Sequence, residues 1–151
     1  MVAIKRVLSV LAFAAAFSAL GINAIASVMS IVIVDELGGL EFYVGLANAG
    51  ATIAAVIFTG YIGKLSDKRG PAGVLMGAYV GYCLFATGFV LATEPVTASV
   101  LFAMPVYALA STAAISFAAL LSSDAERGRA MGLIKGAQNA GAAFGPILGG
   151  V

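Results

Sequence analysis

An all-α bundle of membrane-spanning helices is the fold class this sequence predicts, and three observations predict it. Apolar residues make up 62% of the 151 positions and charged residues 10%, with a mean hydropathy of +1.07, a balance suited to lipid rather than water. The apolar residues fall into five long runs, each near or above the roughly 20 residues a helix needs to cross the hydrocarbon. The charges are also sorted by sign: basic residues collect at the N-terminus and at the second and fourth connections, while the first and third connections carry only acidic ones.

The first run, residues 7–34, has 28 residues and as a helix reaches about 42 Å, more than the roughly 30 Å of hydrocarbon. It is expected to tilt, bend or protrude. Lys5 and Arg6 precede it and Ala24-Ile25-Ala26 offers small residues at signal-peptidase spacing, so a cleavable signal peptide is the rival reading. The run continues past those residues through Ile31-Val32-Ile33-Val34, which favours an uncleaved helix; cleavage deletes it.

The acidic turn Asp35-Glu36-Leu37-Gly38-Gly39-Leu40-Glu41 leads into a second helix over 42–62. A charged turn follows, Gly63-Lys64-Leu65-Ser66-Asp67-Lys68-Arg69-Gly70-Pro71, with four charges in nine residues. The third helix covers 72–92 and is broken by Thr93-Glu94-Pro95, because proline lacks an amide hydrogen and restrains the residue before it. A fourth helix over 96–121 is expected to bend at Pro105. After the polar turn at 122–129, the fifth run occupies 130–151. The predicted domain is the whole of 1–151.

Orientation follows from the basic residues. Lys5, Arg6, Lys64, Lys68, Arg69, Arg127, Arg129 and Lys135 lie on one side, and Asp35, Glu36, Glu41 and Glu94 on the other. That pattern places the N-terminus and the second connection in the cytoplasm of a multi-pass cell-membrane protein. Lys135 lies about one and a half turns inside the fifth run. It either snorkels back to the interface or faces a cavity.

Several function classes have little support. A net charge of +1 without a basic stripe carries no nucleic-acid signature. With no histidine and the single Cys83, there is little from which to build a metal site and no second thiol for an intrachain disulfide. Neither H-E-x-x-H nor G-x-S-x-G is present, which speaks against an intramembrane enzyme. No cofactor is expected.

The segment Gly63-x-Leu65-x-Asp67-Lys68-x-Gly70, between a second and a third membrane helix, resembles motif A of the major facilitator superfamily of secondary transporters. Glycine there permits tight turning and close approach, and the aspartate can bond free amides and complement the positive end of a neighbouring helix. The resemblance implies a conformational latch in which Asp67 helps hold two transporter halves in the outward-open state. In place of the usual basic pair after the second glycine stand Pro71 and Ala72, with Arg69 as the substitute. The bland alternative is a solvated turn obeying the positive-inside rule.

The fifth run resembles motif C of the same family, in Gly132, Gly141, Gly145-Pro146 and Gly149-Gly150. Gly141, Gly145 and Gly149 recur every four residues and so form a strip without side chains on one helix face; Pro146 favours a kink. The resemblance implies an exporter exchanging substrate for protons or other cations, with a bent, closely packed helix preventing leakage. The plainer reading, small residues packing membrane helices, is compatible with it. Gly73, Gly77 and Gly81 of the third run are expected to pack against another helix. Glu126-Arg127-Gly128-Arg129-Ala130-Met131-Gly132 resembles the family's fourth connection, where Asp124 and Glu126 either bond the basic residues of the other cytoplasmic turn or form a solvated cluster.

Related exporters carry a motif B arginine in their fourth helix, but residues 96–121 contain no charge. The carboxylates Asp35 and Glu36 sit at the outer end of the first helix, so no acidic group lies at mid-membrane. The family's geometry implies a substrate cavity lined by the first, second, fourth and fifth helices. Candidate contacts are Asn23 and Ser27, Asn48 and Thr52, Tyr107 and Ser111, and Gln138; each serves equally to bond a neighbouring helix. A nearly neutral cavity suits an apolar or weakly polar solute.

Such transporters have two six-helix halves built from inverted three-helix repeats, and this chain matches the first four helices and most of the fifth. It is therefore expected to be the N-terminal portion of a secondary active, small-molecule efflux antiporter working by alternating access in the lipid bilayer. A coupling cation such as the proton and a C-terminal half, in the same gene or in trans, are implied partners. The alternative is a non-transporting membrane assembly or regulatory partner that associates through its glycine faces.

Overall fold

The computed structural model describes residues 2–150; Met1 and Val151, the two ends of the predicted domain, lie outside the described residues. Six α-helices and no strand are found among them: α1 (Val2–Ser30), α2 (Glu41–Arg69), α3 (Pro71–Val90), α4 (Pro95–Phe102), α5 (Val106–Leu121) and α6 (Arg127–Gly149). Four spans are long and apolar enough to cross a membrane: Ile4–Glu36, Glu41–Arg69, Pro71–Val90 and Pro95–Leu121. Helix α6 is long enough but is diluted by Arg127, Arg129, Lys135, Gln138 and Asn139.

Helix α1 does not stop at the acidic turn. It widens into a π-helical turn, Ile31–Glu36, which takes in Asp35 and Glu36 and is closed by the Leu37 amide donating to Val32 O at 2.9 Å. Gly38, at φ 67°, reverses the chain, and Gly39 passes so near Ile33 O and Pro95 that an added Cβ would stand 2.6 Å from each.

The charged segment corrects the expected turn over 63–71. Helix α2 continues unbroken through Arg69, so Gly63, Leu65, Asp67, Lys68 and Arg69 are helical. No breaker stands between Gly63 and Gly70; lysine, leucine and arginine are good helix formers, and Lys68 and Arg69 suit the carbonyl end of a helix. The turn reduces to Gly70, whose φ of 79° ends α2, and Pro71, which starts α3 at its first position.

The fourth run departs from expectation in degree. Pro105 ends helical geometry rather than bending it, and residues 103–105 separate α4 from α5. Leu101 O, which a proline at 105 leaves without its helical donor, accepts from the Met104 amide at 3.1 Å.

Two clusters hold the bundle together. One is built from Leu11, Ala12 and Ala15 of α1, Leu75 of α3, Ala113, Ala114 and Ala118 of α5 and Ala130 and Ile134 of α6. Its alanines let helices approach closely, which is how membrane helices associate when lipid is as apolar as the core. The other is filled by Phe85, Phe89 and Phe102, with ring centroids 6.1–6.4 Å apart, together with Met29, Ile33, Ala47, Ala98 and Val106. Large apolar side chains such as Phe13, Phe17, Val56, Leu84 and Val90 point outward, as lipid-facing residues do.

Candidate functional site

The most extensive helix pairing in the molecule is α1 against α6, and the glycines of α6 make it. A Cβ added at Gly141 would fall on Ala16 O; at Gly145 it would stand 2.5 Å from Asn23 Cβ and 2.7 Å from Leu20 O; at Gly149 it would fall on Ser27 Oγ and Ala24 O. The contacts advance in step, 16, 20 and 24 against 141, 145 and 149, so the two helices run parallel with backbone laid on backbone. This is what a four-residue glycine repeat supplies. Gly132 does not join the seam: nine residues from Gly141, it lies on the opposite face, and nothing stands within 4 Å of an added Cβ. Pro146 stays within α6, exposed, and its carbonyl accepts from the Gly150 amide at 2.9 Å.

The polar candidates divide into three groups. Asn23 and Ser27 lie partly buried against the seam; Asn23 Nδ2 donates to Ala19 O at 2.8 Å and Ser27 Oγ to Ala24 O at 2.7 Å. Gln138 is only 2% exposed and joins α6 to α5, its Oε1 accepting from Ser111 Oγ at 3.1 Å. Tyr107 is half-buried on α5. Asn48 and Thr52 are exposed on α2 and bond their own helix, Asn48 Nδ2 to Val44 O and Thr52 Oγ1 to Asn48 O. The structure therefore joins Asn23 and Ser27 to the glycine seam and Ser111 to Gln138, without closing all seven around one space.

Sequence reasoning missed a contact between α1 and α3. Tyr82 OH donates to Ser18 O at 3.2 Å and stands 2.7 Å from where a Cβ of Gly21 would be. Tyr79 OH is buried without a hydrogen-bond partner, as is Ser66 Oγ on α2. The available signal was Tyr79 and Tyr82 at i, i+3 in an otherwise apolar run, which puts both on one face.

At the charged end, Asp67, Lys68 and Arg69 are exposed and Leu65 is half-buried. Among the described residues the one ion pair is Asp124 to Arg127, 2.7 Å apart with the carboxylate 91% exposed. Asp124 thus pairs within its own turn, in keeping with the solvated cluster. Gly73 and Gly77 also differ from expectation: an added Cβ at either meets nothing within 4 Å, so that face of α3 is open.

Two clefts lie apart from the seven polar candidates. One, of about 440 Å3, is bordered by Ser30, Asp35 and Glu41. The other, of about 680 Å3, runs between α2 and α3 from Arg69 to Gly81, with Leu109 of α5 lining it.

Neither a curated protein nor a solved structure matches the chain. The family model described as Major Facilitator Superfamily matches residues 11–151, nearly the whole sequence, and covers both glycine-bearing segments. The chain belongs to the Major Facilitator Superfamily, a family of membrane transporters.

Proposed function

We propose that this chain forms the N-terminal helices of a small-molecule efflux antiporter, and that α1 and α6 act in it as the leak-tight wall of an alternating-access pathway. The observation that carries this reading is the seam itself: at Gly141, Gly145 and Gly149 α6 puts no side chain between the two helices, so the backbones and short side chains of α1 lie directly against it and leave little lateral gap for ions or water. Export in exchange for a cation is the mechanism to which such a helix is suited. The proton is the coupling ion we favour; the carboxylates on the outer side are Asp35, Glu36, Glu41 and Glu94, of which Asp35 and Glu41 border one cleft.

The solute is apolar or weakly polar, since α4 and α5 bring no charge to the interior. The pathway needs an opposing half, supplied by the same gene or in trans, because alternating access is motion of one half against another. In this reading Asp67, Lys68 and Arg69 form the latch to that half; their exposure at the end of α2 supports it. The N-terminus faces the cytoplasm of the cell membrane.

The test uses everted vesicles containing the chain with its complementary half, acidified inside. Antiport predicts that N-phenyl-naphthylamine, a neutral apolar dye, releases protons, read as recovery of quenched acridine orange fluorescence. Dye accumulation without proton movement refutes proton coupling; absence of both, with the protein inserted, refutes export of this solute class.

A further inference from the structure

The groove between α2 and α3 is a space that the transport reading does not use, although Arg69 at its end is shared with the proposed latch. Tyr61 and Leu65 of α2 face Gly73 and Gly77 of α3 across it, Leu109 lines it, and Arg69 stands at one end. Its depth comes from the two glycines, beside which nothing lies within 4 Å of an added Cβ. Its volume of about 680 Å3 falls within the range of ligand pockets.

We propose that this groove seats an acyl chain of an anionic phospholipid whose phosphate is held by Arg69. The surrounding medium is lipid, since α2 and α3 are both spans of membrane-crossing length and hydropathy. From Gly73 to Gly81 the groove follows α3 for about 12 Å, close to the roughly 15 Å of one leaflet's hydrocarbon. A chain lying there belongs to the leaflet on the Arg69 side.

Charge complementarity selects the headgroup. Lys64, Lys68 and Arg69 make no ion pair among the described residues, and only Asp67 opposes them in that segment. Guanidinium binds phosphate oxygens in a bidentate fork, and basic residues at the interface favour anionic over zwitterionic lipid. The inference rests on the fold and is independent of which solute, if any, is exported.

The chain contains no tryptophan, which makes the test direct. Tyr61→Trp places a fluorophore in the groove, and Phe13→Trp places one on the lipid-facing side of α1 as a reference; both are read in the 151-residue chain reconstituted in bilayers. Quenching by brominated phosphatidylglycerol and by brominated phosphatidylcholine gives the relative association of the two lipids. The expected preference for phosphatidylglycerol is about fivefold with Tyr61→Trp and absent with Phe13→Trp. Adding Arg69→Gln to Tyr61→Trp removes the preference, while adding Gly77→Leu fills the groove and weakens quenching by both lipids. Far-UV circular dichroism checks that every variant keeps its helicity. Equal preference at the two positions, or a preference that survives Arg69→Gln, overturns the proposal. So does weak quenching by both lipids with Tyr61→Trp beside strong quenching with Phe13→Trp, which means that protein covers the groove.

Discussion

Replacing Gly145 by alanine should destabilise the bundle although alanine is the better helix former. The new Cβ would stand 2.5 Å from Asn23 Cβ and 2.7 Å from Leu20 O, where ordinary contact begins at 3.4 Å. To accept it, α1 and α6 must part by about 0.7–0.9 Å at that turn, and a gap of that size forfeits a quarter to a half of the dispersion attraction between atoms already in contact. Overpacking of this kind costs about 1–3 kcal/mol, against a helix-propensity gain of about 0.5–1 kcal/mol. The net loss is then about 1 kcal/mol, between limits of about 0 and 2.5 kcal/mol. Gly136, on the same helix, has nothing within 4 Å of an added Cβ, so Gly136→Ala should show only the gain. The assay is unfolding of the purified chain in bicelles by sodium dodecyl sulfate, followed by far-UV circular dichroism. If Gly145→Ala matches Gly136→Ala in stability, α1 and α6 are not packed backbone on backbone and the reasoning fails.

Four further outcomes are expected. Ser111→Ala and Gln138→Leu should be coupled in a double-mutant cycle by about 0.6 kcal/mol, as for other hydrogen bonds within membranes; additive effects would mean that the bond from Ser111 Oγ to Gln138 Oε1 is not made. Gly70→Ala forces an alanine to φ 79° and should cost about 1–3 kcal/mol in the same unfolding assay. Cys83, the single thiol, exposed in the middle of α3, should react with a lipid-soluble maleimide and resist a charged one; equal rates would place α3 outside the membrane. In a Cys83→Ser background, D67C and E94C should be labelled from opposite sides of sealed vesicles, D67C from the cytoplasmic side, and labelling from one side only would break the assigned topology.

What the sequence made legible was whatever depends on periodicity. The five apolar runs became helices, with α4 and α5 sharing one, because length and hydropathy are local properties of a segment. The four-residue spacing of Gly141, Gly145 and Gly149 announced a close contact, and the contact exists. Spacing alone does not say which neighbour is met: Gly73 and Gly77 repeat at the same interval yet face an open groove, since the outcome depends on where other helices lie. The segment from Gly63 to Arg69 is helical against expectation, because charge by itself does not break a helix. At a membrane interface a charged helix end is as stable as a charged loop, and only Gly70 carries a conformation that a helix refuses. Of the seven polar candidates, Gln138 and Ser111 found each other across two helices, a pairing that no local pattern encodes.

The seam between α1 and α6 also has a mechanical meaning. Packed helices can shift past one another in shear motions, and side chains at their contact have alternative rotamers with which to accommodate the shift. Where Ala16, Leu20 and Ala24 meet Gly141, Gly145 and Gly149, the contacts on the α6 side have no rotamers to exchange, so the first and last helices of this chain are set to travel as one stiff plate. Any bending of the bundle that leaves this plate intact has other places to fall, such as the π-helical turn after α1 and the break in helical geometry at residues 103–105 between α4 and α5.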